Sequence, residues 1–501
     1  MAQTATATPR LSFGIKLIYG LGSIAYGIKN QLFGLLLIFY NQLMGMPPET
    51  VTLALSISMV LDSLWDPMVG HFSDGLRTRW GRRHPLMYFS AVPFALSFYM
   101  LWNPPAGLSE QMLFFWLLAF VILSRATISL YEVPSSALAP ELAPSYDERT
   151  VLLSYRYFFG VLGGTAAAIM GYGWFLRSTP EQKMGQLNID GYGPYALTVS
   201  IITFVVILLS TLGTHSRIPT LHKPPQQRAG LVTIAKQMFG TLSNRNFLVI
   251  LMAGLLSGIT SGMVQGLGIY FSTYFWELPS SSLLIIVLSS LVATPMGATL
   301  APALSRKIGK KHAAIALAAL GLTISITPIT LRLVDLMPAN GTNLLVGILL
   351  MDRIFASACS TGAAILLSSM LADIVEESQL KTGRRSEALL MSADNTLQRM
   401  VSGLSILLPG LILAYVNFPK KAKPGMVPEE ILNQMALLYV PAIFVASMSG
   451  IALLSLYRIN RMAHERNIAT LRETAAELET SMEADPTPTP PGTIPLPKPS
   501  L

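Results

Sequence analysis

The sequence predicts an all-α polytopic membrane protein, with twelve transmembrane helices arranged as two six-helix halves. Three observations carry this prediction. Of 501 residues, 51% are hydrophobic and 12% are charged, where a soluble domain carries about 25% charge. A hydrocarbon core about 30 Å thick takes about 20 apolar residues per helical span, and apolar runs of that order recur along the chain with short polar loops between them. The basic residues gather in those loops. The net charge of +8 therefore orients a membrane protein and implies no nucleic-acid partner.

The first half, residues 1–215, opens with a small polar segment and an apolar run from near Leu11. That run lacks the small-residue cleavage site of a removable signal, so it stays as a span. Further runs begin near Val51, Leu86, Gln111, Val151 and Tyr195. Residues 216–243 are a polar linker holding Arg217, His222, Lys223, Arg228 and Lys236, with three prolines and a glutamine pair. The second half, residues 244–458, has runs from near Phe247, Leu283, Ala313, Leu344, Ala388 and Ile431. Residues 459–501 form a tail, first a charged helix and then, from Asp485, a proline- and threonine-rich stretch expected to be disordered. The single cysteine, Cys359, lies in an apolar run as a small core residue and excludes a disulfide framework.

Charge asymmetry sets the orientation. Arg77, Arg79, Arg82 and Arg83, the linker group, Arg306, Lys307, Lys310 and Lys311, and Lys381, Arg384 and Arg385 fall on one side. Positive residues stay inside, so this side and both termini are expected in the cytoplasm, in a plasma membrane of the bacterial inner-membrane kind. Lys420, Lys421 and Lys423 on the other side are the exception.

The halves also repeat. A basic turn with glycine joins the second span to the third, through Asp74, Arg77, Arg79, Gly81 and Arg82, and another joins the eighth to the ninth, through Arg306, Lys307, Gly309, Lys310 and Lys311. Two six-helix halves in parallel repeat, with a cavity between them, are the layout of the major facilitator superfamily.

Ionisable groups inside a span are costly, so their default reading is functional. Asp62 and Asp66 lie four apart on one face of the second span, with Ser58 one turn earlier. Two carboxylates this close repel, so a proton or a hard cation such as Na⁺ belongs between them. Arg125, Ser129 and Glu132 share a face of the fourth span. Arg156 stands in the fifth. Tyr26, Lys29 and Asn30 give the first span a polar face, and Asp394, Asn395, Gln398 and Arg399 cluster in the eleventh. Asp352 and Arg353 belong to the tenth. Trp65, Tyr131 and Trp174 are candidates to stack on a ligand, although most such aromatics pack or anchor. Phosphate-cradling and zinc-protease motifs are absent, which argues against an enzyme or an ATP-driven pump.

Asp62-Ser63-Leu64-Trp65-Asp66-Pro67, the loop Arg77 to Pro85, Leu130-Tyr131-Glu132-Val133-Pro134-Ser135-Ser136 and Asp147-Glu148-Arg149-Thr150 resemble the glycoside, pentoside and hexuronide:cation symporters, typified by the melibiose carrier. The likeness covers the chain to about Tyr457. It implies a cation site at Asp62 and Asp66 assisted by Ser129, with Arg399 near it. It implies sugar contacts at Glu132 and Arg156. Two positions depart from the carrier: Asn30 replaces an acid that grips the galactosyl unit, and Arg125 replaces a small residue.

The expected function is symport of a sugar or glycoside coupled to H⁺ or Na⁺ by alternating access, without a cofactor, by a monomer in membrane lipid. Two readings stay open beside it. One is a lysolipid or other amphiphile:cation symporter, which needs a long apolar cleft. The other is a non-transporting receptor or scaffold, supported only by the charged tail.

Overall fold

The computed structural model describes residues 11–143, 145–180, 182–221, 245–382 and 397–457. Twelve helices follow one another there. In the first half they are α1 (Phe13–Phe33 and Leu36–Leu43), α2 (Pro48–Gly75), α3 (His84–Leu101), α4 (Glu110–Leu142), α5 (Tyr146–Met170, extended by Gly171–Phe175) and α6 (Ile189–His215). In the second they are α7 (Arg245–Phe275), α8 (Ser280–Ile308), α9 (Lys310–Leu333), α10 (Asn343–Thr382), α11 (Leu397–Tyr415) and α12 (Glu429–Ser455). Nine of these are long and apolar enough to cross a membrane, and α1, bent by 43° at Gly34 and Leu35, makes ten. The other two fall short for local reasons: α2 carries Asp62 and Asp66, and α3 has only 18 residues, including His84, Pro85 and Pro93. Ser109 and Ser145 cap α4 and α5, their hydroxyls accepting from the amides of Met112 and Glu148. The start expected near Ala388, the linker from 222 to 243, Arg384, Arg385, Asp394, Asn395 and the tail lie outside the described residues.

The packing repeats between the halves. Helix α4 lies against α2 and α3 as α10 lies against α8 and α9, and α1 packs on α6 as α7 packs on α12. The basic turns repeat as well, because Gly81 and Gly309 both sit at positive φ, 74° and 82°, which a side chain would strain. Lys310 Nζ meets Asp373 Oδ1 at 2.7 Å across the second turn. At the first, Arg82 Nη2 and Arg83 Nε reach Glu141 Oε1 at 2.7 and 3.1 Å.

Helices α1 and α5 meet backbone to backbone. A Cβ on Gly27 would stand 1.9 Å from the Gly160 carbonyl oxygen, and one on Gly163 would stand 2.5 Å from that of Ile24. Small residues are what allow helices to close to this distance in a membrane. The halves touch through α2 with α11, α5 with α8, and α1 with α7. Among the described residues these contacts concentrate at the end opposite the basic turns, here termed the far end. Toward the basic end, Met68 and Phe72 of α2 are 50% and 58% exposed.

Candidate functional site at the centre of the helix bundle

Side chains from α1, α2, α4, α5 and α11 converge between the halves. Asp62 Oδ1 accepts from Ser129 Oγ at 3.2 Å, and Asp62 Oδ2 accepts from Arg125 Nη1 at 3.5 Å. Asp66 Oδ2 accepts from Arg399 of the other half. Among the described residues Asp66 Oδ1 and Arg125 Nε are buried without a hydrogen-bond partner, and the Arg125 guanidinium lies 4.7 Å from the centroid of Phe33. The carboxylate pair thus has its charge met by two guanidiniums but keeps one oxygen unsatisfied. Such a buried orphan acceptor costs about 1–3 kcal/mol, and more when it is charged. A proton on that oxygen, or a hard cation shared by Asp62, Asp66 and Ser129, would relieve it.

One turn further along α4, Glu132 Oε1 holds Lys29 Nζ at 2.9 Å, and both side chains are mostly buried. The Lys29 ammonium also lies 4.9 Å from the Tyr26 ring centre. Tyr26 is 49% exposed, and Asn30 is exposed one turn later on the same face. Arg156 Nη1 donates to Tyr19 Oη at 2.9 Å and to Ser135 Oγ at 3.4 Å. The α4 face bearing Arg125, Ser129 and Glu132 is therefore turned as its spacing predicts, toward both α2 and α1.

The far end is closed by different chemistry. Both α1 and α7 finish in a π-helical turn, Phe39–Leu43 and Phe271–Phe275, a geometry often found at functional positions. Tyr270 Oη donates to Asn41 Oδ1 at 2.7 Å, and Tyr274 Oη donates to Gln42 Oε1 at 3.1 Å. Gln42 also accepts from the Ala422 amide at 2.9 Å and donates to the Pro419 carbonyl at 3.1 Å. Gln186 joins Thr273 and Ser280 in the same way. All these side chains are buried.

At the basic end, Asp74 pairs with Arg83 at 2.6 Å and reaches Arg82 at 4.0 Å. Arg77 and Arg79 do not enter this network; both are exposed, and Arg79 lies on the Trp80 ring. Arg83 and Glu141 complete the network with Asp74 and Arg82 instead. Ser58 is spent on the Leu55 carbonyl. Trp65 and Tyr131 are ties between helices rather than open platforms, because the indole donates to the Ala126 carbonyl and the phenol to Ser210 Oγ. Trp174 is 74% exposed at the end of α5. Cys359 is buried in the core.

The family described as MFS/sugar transport protein matches residues 18–461. The chain belongs to that family. This MFS sugar-transport chain is 25% identical to the putative glycoside/cation symporter YagG of Escherichia coli, over 90% of its own length and 93% of the relative's. It is also 25% identical to the sodium-dependent lysophosphatidylcholine symporter 1 of Xenopus tropicalis, over 94% and 92%. Among solved structures, the inward open xylose transporter XylE from E. coli has the same fold, with a TM-score of 0.59 and 14% identity over 91% of this chain and 99% of that one. The family is one of membrane transporters, and its members are not enzymes.

Sequence reasoning passed over Gln42, Gln186, Tyr270 and Tyr274 of the far end, and Glu141, Ser135 and Asp373 elsewhere. Glu141 and Asp373 carried a signal: each is an acid near the basic end of α4 or α10, opposite a basic turn. The amides carried none.

Proposed function

We propose that the protein is a symporter that moves a sugar or glycoside with a coupling cation by alternating access. The observation that carries this reading is the pair Asp62 and Asp66, bridged to both halves by Arg125 and Arg399, with Asp66 Oδ1 left unsatisfied. An acid pair in a span must exchange charge partners to be useful. Cation binding at Asp62, Asp66 and Ser129 releases the two arginines and so changes what ties α2 to α11. Two guanidiniums on the carboxylates disfavour a metal ion, so the coupling ion in this reading is a proton. Tyr26, Lys29, Asn30, Glu132 and Arg156 line the substrate side of the same space. The basic end faces the cytoplasm of a bacterial inner membrane, the termini and the linker at 216–243 lie there too, and the protein works as a monomer. The halves closed at the far end then describe an inward-open carrier.

The similarity to a lysophosphatidylcholine symporter supports a second reading, an amphiphile as cargo. Uptake into proteoliposomes separates the two. Glycosides accumulating under an inward proton gradient, and collapsing with a protonophore, are the expected result. Accumulation of lysophosphatidylcholine alone favours the second reading, and accumulation under a Na⁺ gradient alone refutes the proton. If no gradient drives uptake of either class, symport is wrong.

A further inference from the structure

Asp62, Asp66, Glu132, Glu141, Glu148 and Asp373 each hold a basic side chain. Asp352 of α10 does not. Among the described residues it forms no ion pair, and its Oδ1 is buried without a hydrogen-bond partner. The residue as a whole is half-buried, so a proton can reach it from water.

The surroundings of Asp352 are apolar. It shares a face of α10 with Leu345, Leu349 and Ala356, all buried. Leu345 and Leu349 belong to the same core as Phe271 of α7 and Tyr439 of α12. Two ionisable groups act on Asp352 without touching it, Arg353 on its own helix and Tyr439. The helices packed against α10, namely α7, α8 and α9, add none among the described residues. Arg353 does not serve as the missing partner. Successive helical residues point about 100° apart, and Arg353 is exposed where Asp352 turns inward.

An isolated carboxylate inside a span is costly, and a proton removes that cost by neutralising it. A hard metal ion needs several oxygen ligands, and no group of three metal-binding side chains occurs among the described residues. The position also gives a change of charge something to act on. The Tyr439 ring lies 4.7 Å from that of Phe271, the first residue of the π-helical turn that carries Tyr274 into the far-end closure.

We propose that Asp352 is a second proton-binding site, in the other half from Asp62 and Asp66, and that it takes up and releases a proton of its own in each transport cycle. The proton bonds to a carboxylate oxygen on one side of the membrane, leaving the carboxyl neutral, and returns to water on the other. The proposal rests on reading the protein as a proton-coupled carrier.

The first test follows the full chain in detergent by infrared difference spectroscopy during an acid titration, in which a carboxylate that gains a proton gains a C=O band. Asp352→Asn is expected to delete one component of that signal and Asp352→Glu to keep it. Joint replacement of Asp62→Asn and Asp66→Asn should leave the component in place. Identical titrations of the unaltered protein and Asp352→Asn overturn the proposal. The second test counts protons entering proteoliposomes per molecule of cargo under an inward proton gradient, the cargo being methyl glucoside or lysophosphatidylcholine, whichever accumulates. With a proton at each of two sites, the ratio should fall by about half in Asp352→Asn. Recovery of the ratio in Asp352→Glu shows that the loss is not misfolding. If Asp352→Asn stops net uptake, surviving exchange of labelled for unlabelled cargo supports the proposal, and loss of exchange in both variants counts against it. Coupled uptake with an unchanged ratio in Asp352→Asn removes the second proton and leaves symport standing. No ion-driven uptake by the unaltered protein removes symport and the cycling proton with it.

Discussion

The central cluster and the far-end closure lie along the same helices and use opposite materials. The centre is ionic, with Asp62, Asp66 and Glu132 each held by a cation and with Asp66 Oδ1 left over. The buried far-end closure is neutral, with one exposed ion pair, Lys420 Nζ to Glu110 Oε2 at 3.2 Å, beside it among the described residues. Asn41, Gln42, Gln186, Tyr270 and Tyr274 satisfy one another and nearby backbone with nothing left over. The difference separates two tasks. A site that must respond to an ion needs charges that can change partners, while a seal that must form and part in each cycle works better with groups of modest cost in either state.

Substitutions can test that division. The largest effect is expected from Asp66→Asn, which removes the charge that Arg399 meets and the orphan oxygen with it. Ion-driven accumulation in proteoliposomes should fall to the equilibrium level while downhill exchange survives. Full accumulation in both Asp66→Asn and Asp62→Asn would show that the pair is not the coupling site. Next in size is Glu132→Gln, which leaves Lys29 buried without its counterion. Breaking one side of a buried pair costs about 3–5 kcal/mol, so thermal stability in detergent should drop; adding Lys29→Met should recover part of the loss, and additive losses would mean that the pair is uncoupled.

At the far end the effects should be smaller and of another kind. Gln42→Ala strands the Ala422 amide and takes the donor from the Pro419 carbonyl, while Tyr274 keeps the Ala422 carbonyl at 3.2 Å, a penalty of about 1–3 kcal/mol against the closed form. In a Cys359→Ser background, a cysteine at Leu284, beside Gly173 on the α5 and α8 contact, should then react faster with an impermeant thiol reagent added at the far end. Ion coupling should persist, and a carrier that loses coupling in Gln42→Ala would merge the two regions. Tyr270→Phe deletes one hydrogen bond to Asn41, worth about 0.5–1.5 kcal/mol. Its labelling rate should rise by less than that of Gln42→Ala.

Much of the centre was legible in the sequence because it depends on spacing within one helix. The four-residue step from Asp62 to Asp66, and the steps from Arg125 to Ser129 and Glu132, put these groups on faces that the structure turns inward. The glycine turns at Gly81 and Gly309 marked the repeat for the same reason. Links between helices were harder. Arg399 meets Asp66 across 333 positions, and Tyr131 gave no sign that Ser210 would take its hydroxyl. Gln42 and Gln186 are amides without periodic pattern, and only tertiary packing reveals them as a seal. The apolar count also missed a subtlety: α2 is a poor span by composition because it carries the acids that give the site its chemistry.

The glycine contact between α1 and α5 has a consequence for how such carriers diversify. With Gly27 against the Gly160 carbonyl, the two helices have no clearance to slide, so Tyr19, Lys29 and Arg156 keep their mutual distances while the halves rock. Selectivity is then written on an unmoving tablet, and the parts that travel are elsewhere. On the proposed assignment of Asn30 and Arg156 to the substrate side, single replacements there change the cargo without retuning the motor.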